Sequence, residues 1–186
     1  NWGFTNVTKN WNWKDADQKP VQVAVFSNGD EVELIQNGTS VGKLTSGTRL
    51  AADLPHSFLF DLTYLPGTLE AVSYKDGKEI SRDTLVTTGP AKELRLIQEK
   101  KELSANGHEV AYVRVEIVDE NGIVVPDAAL RLNAAVEGVG SLAAFGSSNP
   151  ITDENYTSGT FTSYHGTATA IIRSGYQTGM CTLTVG

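Results

Sequence analysis

The sequence predicts an all-β fold, built as two tandem immunoglobulin-like β-sandwich domains. Two observations carry the class. Apolar residues recur with a period of two in short runs, the spacing that turns one face of an extended strand towards a core. Turn dipeptides such as Asn-Gly, Asp-Gly and Pro-Gly punctuate the chain roughly every 8–12 residues, and no run of about ten residues keeps a helical period. A third observation gives the division. Gly89-Pro90 interrupts the pattern and leaves about 88 and 97 residues on either side of Gly89, each the length of one such sandwich. The domains are therefore expected at 1–88 and 89–186.

In chain order, Trp11-Asn12-Trp13 puts two indoles on the same side of an extended segment, and both are expected in the core. Val21, Val23 and Val25 form one face of the first strand. Two Asn-Gly dipeptides follow, Asn28-Gly29 and Asn37-Gly38, around a run in which Val32 and Leu34 alternate with Glu31 and Glu33. Asn-Gly suits a type I′ turn because both central residues need positive φ, so Val23 to Gly42 reads as a three-stranded meander. Gly47 to Pro55 reads as loop, and Phe58, Phe60 and Leu62 as one face of the next strand. After Pro66-Gly67, the segment Thr68 to Tyr74 is apolar on both sides, as a strand near the centre of a sheet is. Asp76-Gly77 then turns the chain into a strand at Glu79 to Thr88.

The second block opens with a strand from Lys92 to Gln98. Val113, Val115 and Ile117 alternate with Arg114 and Glu116, and Asp119-Glu120-Asn121-Gly122 closes a hairpin. Pro126 lacks a backbone donor and belongs to an edge or loop. Leu130, Leu132, Ala134 and Val136 form a strand, and Gly138 to Pro150 reads as a Gly/Ser-rich loop. Ala168, Ala170 and Ile172 make the next strand. Cys181, Leu183 and Val185 make the last, with Cys181 expected as a small buried apolar residue.

Composition narrows the function. A net charge of −7 argues against a nucleic-acid surface, and no apolar run reaches the ~18 residues of a membrane span. One Cys cannot form an internal disulfide, so cores must supply the stability. The chain opens on Asn1-Trp2-Gly3-Phe4 without an initiator Met, which reads as a piece of a longer protein or a processed one. Asn6, Asn37 and Asn155 each begin an Asn-x-Ser/Thr sequon.

Catalytic and metal templates find no match. His56, His108 and His165 lie far apart in sequence, and no Cys/His spacing suits zinc. Gly138-Val139-Gly140-Ser141 has neither a Lys nor a following helix to cradle a phosphate. Asp119-Glu120-Asn121 and Asp153-Glu154-Asn155 are acidic, but neither has the ligand spacing of a calcium loop. No metal site, cofactor or catalytic residue is assigned. The aromatic inventory remains, because an indole or phenol ring can stack on the apolar face of a sugar. Trp2, Trp11, Trp13, Tyr64, Tyr156 and Tyr164 are the inventory; Trp11 and Trp13 are read as core, and Tyr156, Tyr164 and Trp2 are taken as the sugar-binding candidates.

Several of these stretches together carry a resemblance. Trp11-Asn12-Trp13, the run Val25 to Leu34, Pro66-Gly67-Thr68-Leu69-Glu70-Ala71-Val72 and Tyr74 to Lys78 resemble a domain that follows the catalytic barrel in family 2 glycoside hydrolases of the β-galactosidase type. Tyr112 to Gly122, Val125-Pro126-Asp127, Val136 to Leu142, Ile171 to Ser174 and Gly179 to Thr184 are similar to the domain after it. Gln36 departs from the pattern, standing where an apolar residue is expected. The resemblance implies a retaining reaction run by two Glu residues on a (β/α)₈ barrel. In that family the acid/base Glu directly follows an Asn, and no Asn-Glu dipeptide occurs in these 186 residues. The implied role is a non-catalytic C-terminal module whose partners are the barrel and other domains of the same parent chain. Two other readings stay open: a carbohydrate-binding module whose partner is a glycan, and a tandem immunoglobulin-like adhesin.

Overall fold

The structure is a computed structural model that describes residues 7–13, 15–46 and 56–186. Trp2, Asn6 and the loop expected at Gly47 to Pro55 lie outside the described residues. The chain is all-β and divides into two compact units, Asn1–Thr87 and Thr88–Gly186. Each is an immunoglobulin-like sandwich.

In the first unit, β1 (Pro20–Phe26) pairs antiparallel with β4 (Ser57–Thr63). The facing sheet has the order β3 (Thr39–Thr45), β2 (Glu31–Gln36), β5 (Thr68–Lys75), β6 (Lys78–Val86). Between them lies a core of Trp11, Val32, Leu34, Phe58, Phe60, Leu62, Tyr64 and Leu69. The alternation of β2 and β4 read from sequence is the alternation that packs here, and β5 sits inside its sheet.

The meander is corrected. Asn37 and Gly38 take φ of 49° and 78°, the type I′ geometry that joins β2 to β3. Asn28-Gly29 does something else, since β1 pairs with β4 and β2 with β3 and β5. It carries the chain from one sheet to the other. Ser27 N–H donates to His56 O, which keeps the end of β1 on its own sheet, and Asp30 N–H donates to Tyr74 O on the opposite one. Gly29 is needed there for close approach: a Cβ would stand 2.6 Å from Tyr74 O. Gln36, out of pattern for a core position, is buried and donates from Nε2 to Thr63 O at 3.0 Å. That bond satisfies a polar group which burial would otherwise penalise.

The second unit packs a four-stranded sheet, β10 (Ser141–Gly146), β12 (Thr167–Arg173), β8 (Val110–Val118), β7 (Glu93–Gln98), on a three-stranded one. The latter has the order β11 (Thr160–Thr162), β9 (Arg131–Gly138), β13 (Cys181–Val185). Val113, Val115, Leu132, Ala134, Phe145, Phe161, Ala168, Ala170 and Ile172 fill the space between. Asp119, expected in a turn, is buried and accepts from Asn121 N–H and Ile123 N–H through Oδ1 and from Gly89 N–H through Oδ2. One carboxylate thus shapes the turn after β8 and ties down the start of the unit. Those three N–H donors hold its pKa below the ordinary value, against the opposing effect of burial.

Three further readings are corrected. Gly138 to Pro150 is not all loop, because β10 lies inside it. Its Leu-Ala-Ala-Phe sequence lacks β-branched residues, and a bulge between Leu142 and Ala144 breaks the alternation while Phe145 still reaches the core. Leu130 stands before β9 and is exposed. Cys181 is exposed as well. It shares the face of Leu183 and Val185 but opens β13 opposite Gly138, at the rim where the core ends.

Candidate functional site

The fold decides which aromatics are free to act. Trp11 is 3% exposed and meets Tyr64 edge-on, with ring centroids 4.8 Å apart. Tyr64 Oη donates to Trp11 O at 3.0 Å and accepts from Trp13 N–H, while Thr87 Oγ1 donates to Trp11 O at 2.7 Å. These bonds fasten the N-terminal segment to the ends of β4 and β6. Trp13 corrects the expectation of two core indoles. Its carbonyl accepts from Ala16 N–H, so a turn begins at Trp13, and the indole swings outward to 43% exposure with its N–H on Asn10 O.

Among the sugar-binding candidates, Trp2 lies outside the described residues. Tyr156 is 45% exposed, and its ring lies against Phe161 with centroids 4.6 Å apart. A Cβ on Gly146 would run into that ring, so the tyrosine closes the core over β10 and β11. Tyr164 is half-buried beside the His165-Gly166 turn, whose residues take φ of 50° and 69°. Its N–H donates to Thr167 O, and its ring meets His165 at 4.1 Å. Tyr156 and Tyr164 thus stand in separate surroundings, each with packing of its own.

Tyr176 is the aromatic that sequence reading missed. It is 78% exposed and sits in the loop between β12 and β13. A signal for it existed: Ser174 and Thr178, two residues to either side, are polar, so no strand face could take the ring. The ring rests on Gly107, where a Cβ would stand 2.7 Å from Tyr176 Oη, and His108 meets it edge-on at 6.5 Å.

Several carboxylates among the described residues hold strands and turns. On the outer face of the first unit's larger sheet, Glu31 pairs with Lys43 at 2.7 Å, and Arg82 reaches both Glu70 and Glu79. Glu33 accepts from Ser40 Oγ and Tyr74 Oη, and these bonds lower its pKa, Ser40 foremost. In the second unit Glu116 is buried between Arg95 and Arg114, at 2.6 and 2.8 Å. Glu109 accepts from Ser104 N–H and Lys100 Nζ, which brings its pKa down to about 2. A glycosidase general acid needs the opposite, a carboxyl held protonated by a raised pKa. Among the described residues no three His, Cys, Asp or Glu side chains gather as a metal-ligand set.

Comparison with known proteins places these two sandwiches. The profile of the glycoside hydrolase family 2 C-terminal domain 5 matches residues 94–186, half of the chain. The chain belongs to glycoside hydrolase family 2. Residues 18–81 match a domain of unknown function, DUF4982. Among curated proteins, a β-galactosidase of Bacteroides ovatus is 29% identical over 94% of this chain and 20% of its own length. A β-galactosidase of Thermoanaerobacter pseudethanolicus is 33% identical over 72% of this chain and 19% of its own. Among solved structures, a family 2 glycosyl hydrolase from Bacteroides cellulosilyticus superposes with a TM-score of 0.91 at 30% identity, covering 98% of this chain and 25% of that one. The chain therefore spans about a fifth of the length of each of these two curated relatives, a C-terminal part without the catalytic domain.

Proposed function

We propose that this chain is the non-catalytic accessory region of a retaining, β-galactosidase-type glycosidase, packing beside the catalytic barrel and supporting it or the access of substrate. The observation that carries the reading is the co-linear match of 94% of the chain to a fifth of a β-galactosidase. The side-chain chemistry supports it. Glu33, Glu109 and Asp119 are pushed towards the ionised state and spend their oxygens on strands and turns.

Two measurements test the reading. The 186-residue chain should not turn over aryl β-galactosides above a buffer blank, because the reaction needs two positioned carboxylates around an enclosed sugar. Turnover that survives repurification and disappears on mutating one acidic residue here would sink the claim. In the full-length parent, deleting this region should lower the unfolding midpoint or kcat/KM on the same substrates. A deletion that leaves both unchanged overturns the supporting role.

A further inference from the structure

We propose that the rim of the second unit around Tyr176 is a pyranose-binding platform. The inference goes beyond the accessory reading and does not depend on it. Large apolar side chains that are exposed singly are common and need no explanation. Tyr176 differs because the loop that presents it is pinned on both sides. Before it, Ser174 N–H donates to Glu109 O at 2.9 Å and Gly107 N–H donates to Gly175 O at 3.1 Å. Gly175 and Gly179 both lie tight on Val139, and Val139 N–H donates to Met180 O at 3.1 Å. Ser174 to Met180 is therefore a short arch fixed at its two feet, with the tyrosine on it.

The ring itself has a seat. It lies on the backbone of Gly107, which takes φ of 73° and carries no side chain to lift it. The hydroxyl end of the ring is the part that approaches Gly107, and at 78% exposure the side chain is otherwise open to solvent. A pre-positioned ring loses little freedom when a ligand stacks on it, which is the condition for useful affinity from one aromatic. Core packing does not account for this arrangement, as it does for Tyr156 on Phe161.

The polar groups nearby suit hydroxyls. Asn106 Oδ1 accepts from His108 N–H, Glu109 N–H and Ser174 Oγ. With the oxygen so engaged, the orientation of the amide is fixed and its NH₂ donors are left over, one residue from the ring's seat. His108, edge-on to the ring and exposed, adds a group that can donate or accept. An aromatic face flanked by an amide donor and an imidazole matches a pyranose, which offers axial C–H bonds on its faces and hydroxyls around its rim.

The test uses saturation-transfer difference NMR on the 186-residue chain, with methyl β-D-glucopyranoside as the probe and sorbitol as the control. The glucoside has every substituent equatorial, so its faces present C–H groups, while sorbitol has hydroxyls but no such face. The expected result is saturation of the glucoside's ring C–H protons and none of sorbitol. The signal should be lost in Tyr176→Ala and in Gly107→Ala, which lifts the ring from its seat, and kept in Tyr176→Phe. Tyr176 is exposed, so its variants should fold, and unchanged upfield methyl resonances will verify that. No transfer to the glucoside in the native chain, equal transfer to sorbitol, or a signal that survives Tyr176→Ala overturns the proposal.

Discussion

At the scale of single residues, the two neighbouring tryptophans give the sharpest contrast. Trp11 is buried against Tyr64, so Trp11→Ala should cost about 3–5 kcal/mol, as large-to-small core changes do. That is much of a small domain's stability of roughly 5–15 kcal/mol. Its Nε1 is buried with no hydrogen-bond partner among the described residues, so Trp11→Phe removes an unsatisfied donor along with part of the ring and should cost clearly less. Trp13 is 43% exposed, and Trp13→Ala should stay within about 1 kcal/mol. Urea unfolding of the three variants checks the order, and equal losses at positions 11 and 13 would contradict it. Glu109 supplies a pH prediction. Its pKa is lowered from 4.5 to about 2, first by Ser104 N–H and then by Lys100. The sign follows from linkage: a depressed carboxyl adds stability that is fully present above 4.5 and lost as pH falls towards 2. Between those values the native chain should lose more stability than Glu109→Gln, measured as unfolding midpoints across pH. Parallel profiles for the two would remove Glu109 from the acid response.

At the scale of elements, two identical dipeptides that read alike in the sequence do different work. Asn37-Gly38 makes the hairpin from β2 to β3 with nothing near the glycine, so Gly38→Ala should cost only the strain of positive φ, about 1 kcal/mol. A Cβ on Gly29 would meet Tyr74 O at 2.6 Å, and a backbone atom cannot swing aside as a side chain can. Gly29→Ala should therefore cost more than Gly38→Ala, and the reverse order in urea melts would refute the close-approach argument. The pair also shows what sequence can and cannot carry. Alternation in β2, β4 and β8 was legible because burial on one face imposes it directly. Which strands pair was not, since that choice rests on bonds as distant as Ser27 to His56. β10 was missed because its bulge and small residues erase the period, and Trp13 because a turn begins under it. Tyr176 was overlooked among turn residues, although its polar neighbours already excluded a strand.

At the scale of the whole molecule, every buried apolar cluster among the described residues lies within one unit, a smaller one of Ile117, Val125 and Ala128 adding to the second, and each unit should stand without the other. All eight residues of the first core lie within Asn1–Thr87, and all nine of the second within Thr88–Gly186. Thr87 belongs with the first because its hydroxyl holds Trp11 O. Gly89 belongs with the second because its N–H is one of the three donors that satisfy buried Asp119. Expressed separately, residues 1–87 and 88–186 should each give a single cooperative unfolding transition. A second-unit chain shortened to start at residue 91 tests the assignment of Gly89 more finely. It removes a donor from a carboxylate that stays buried, and an ionised oxygen short of a partner is costly. The shortened chain should fold but melt below 88–186, and Asp119→Asn, which alters the same carboxylate, should narrow the difference between them. Equal melting of the two lengths would mean that the Asp119–Gly89 bond adds nothing to the second core.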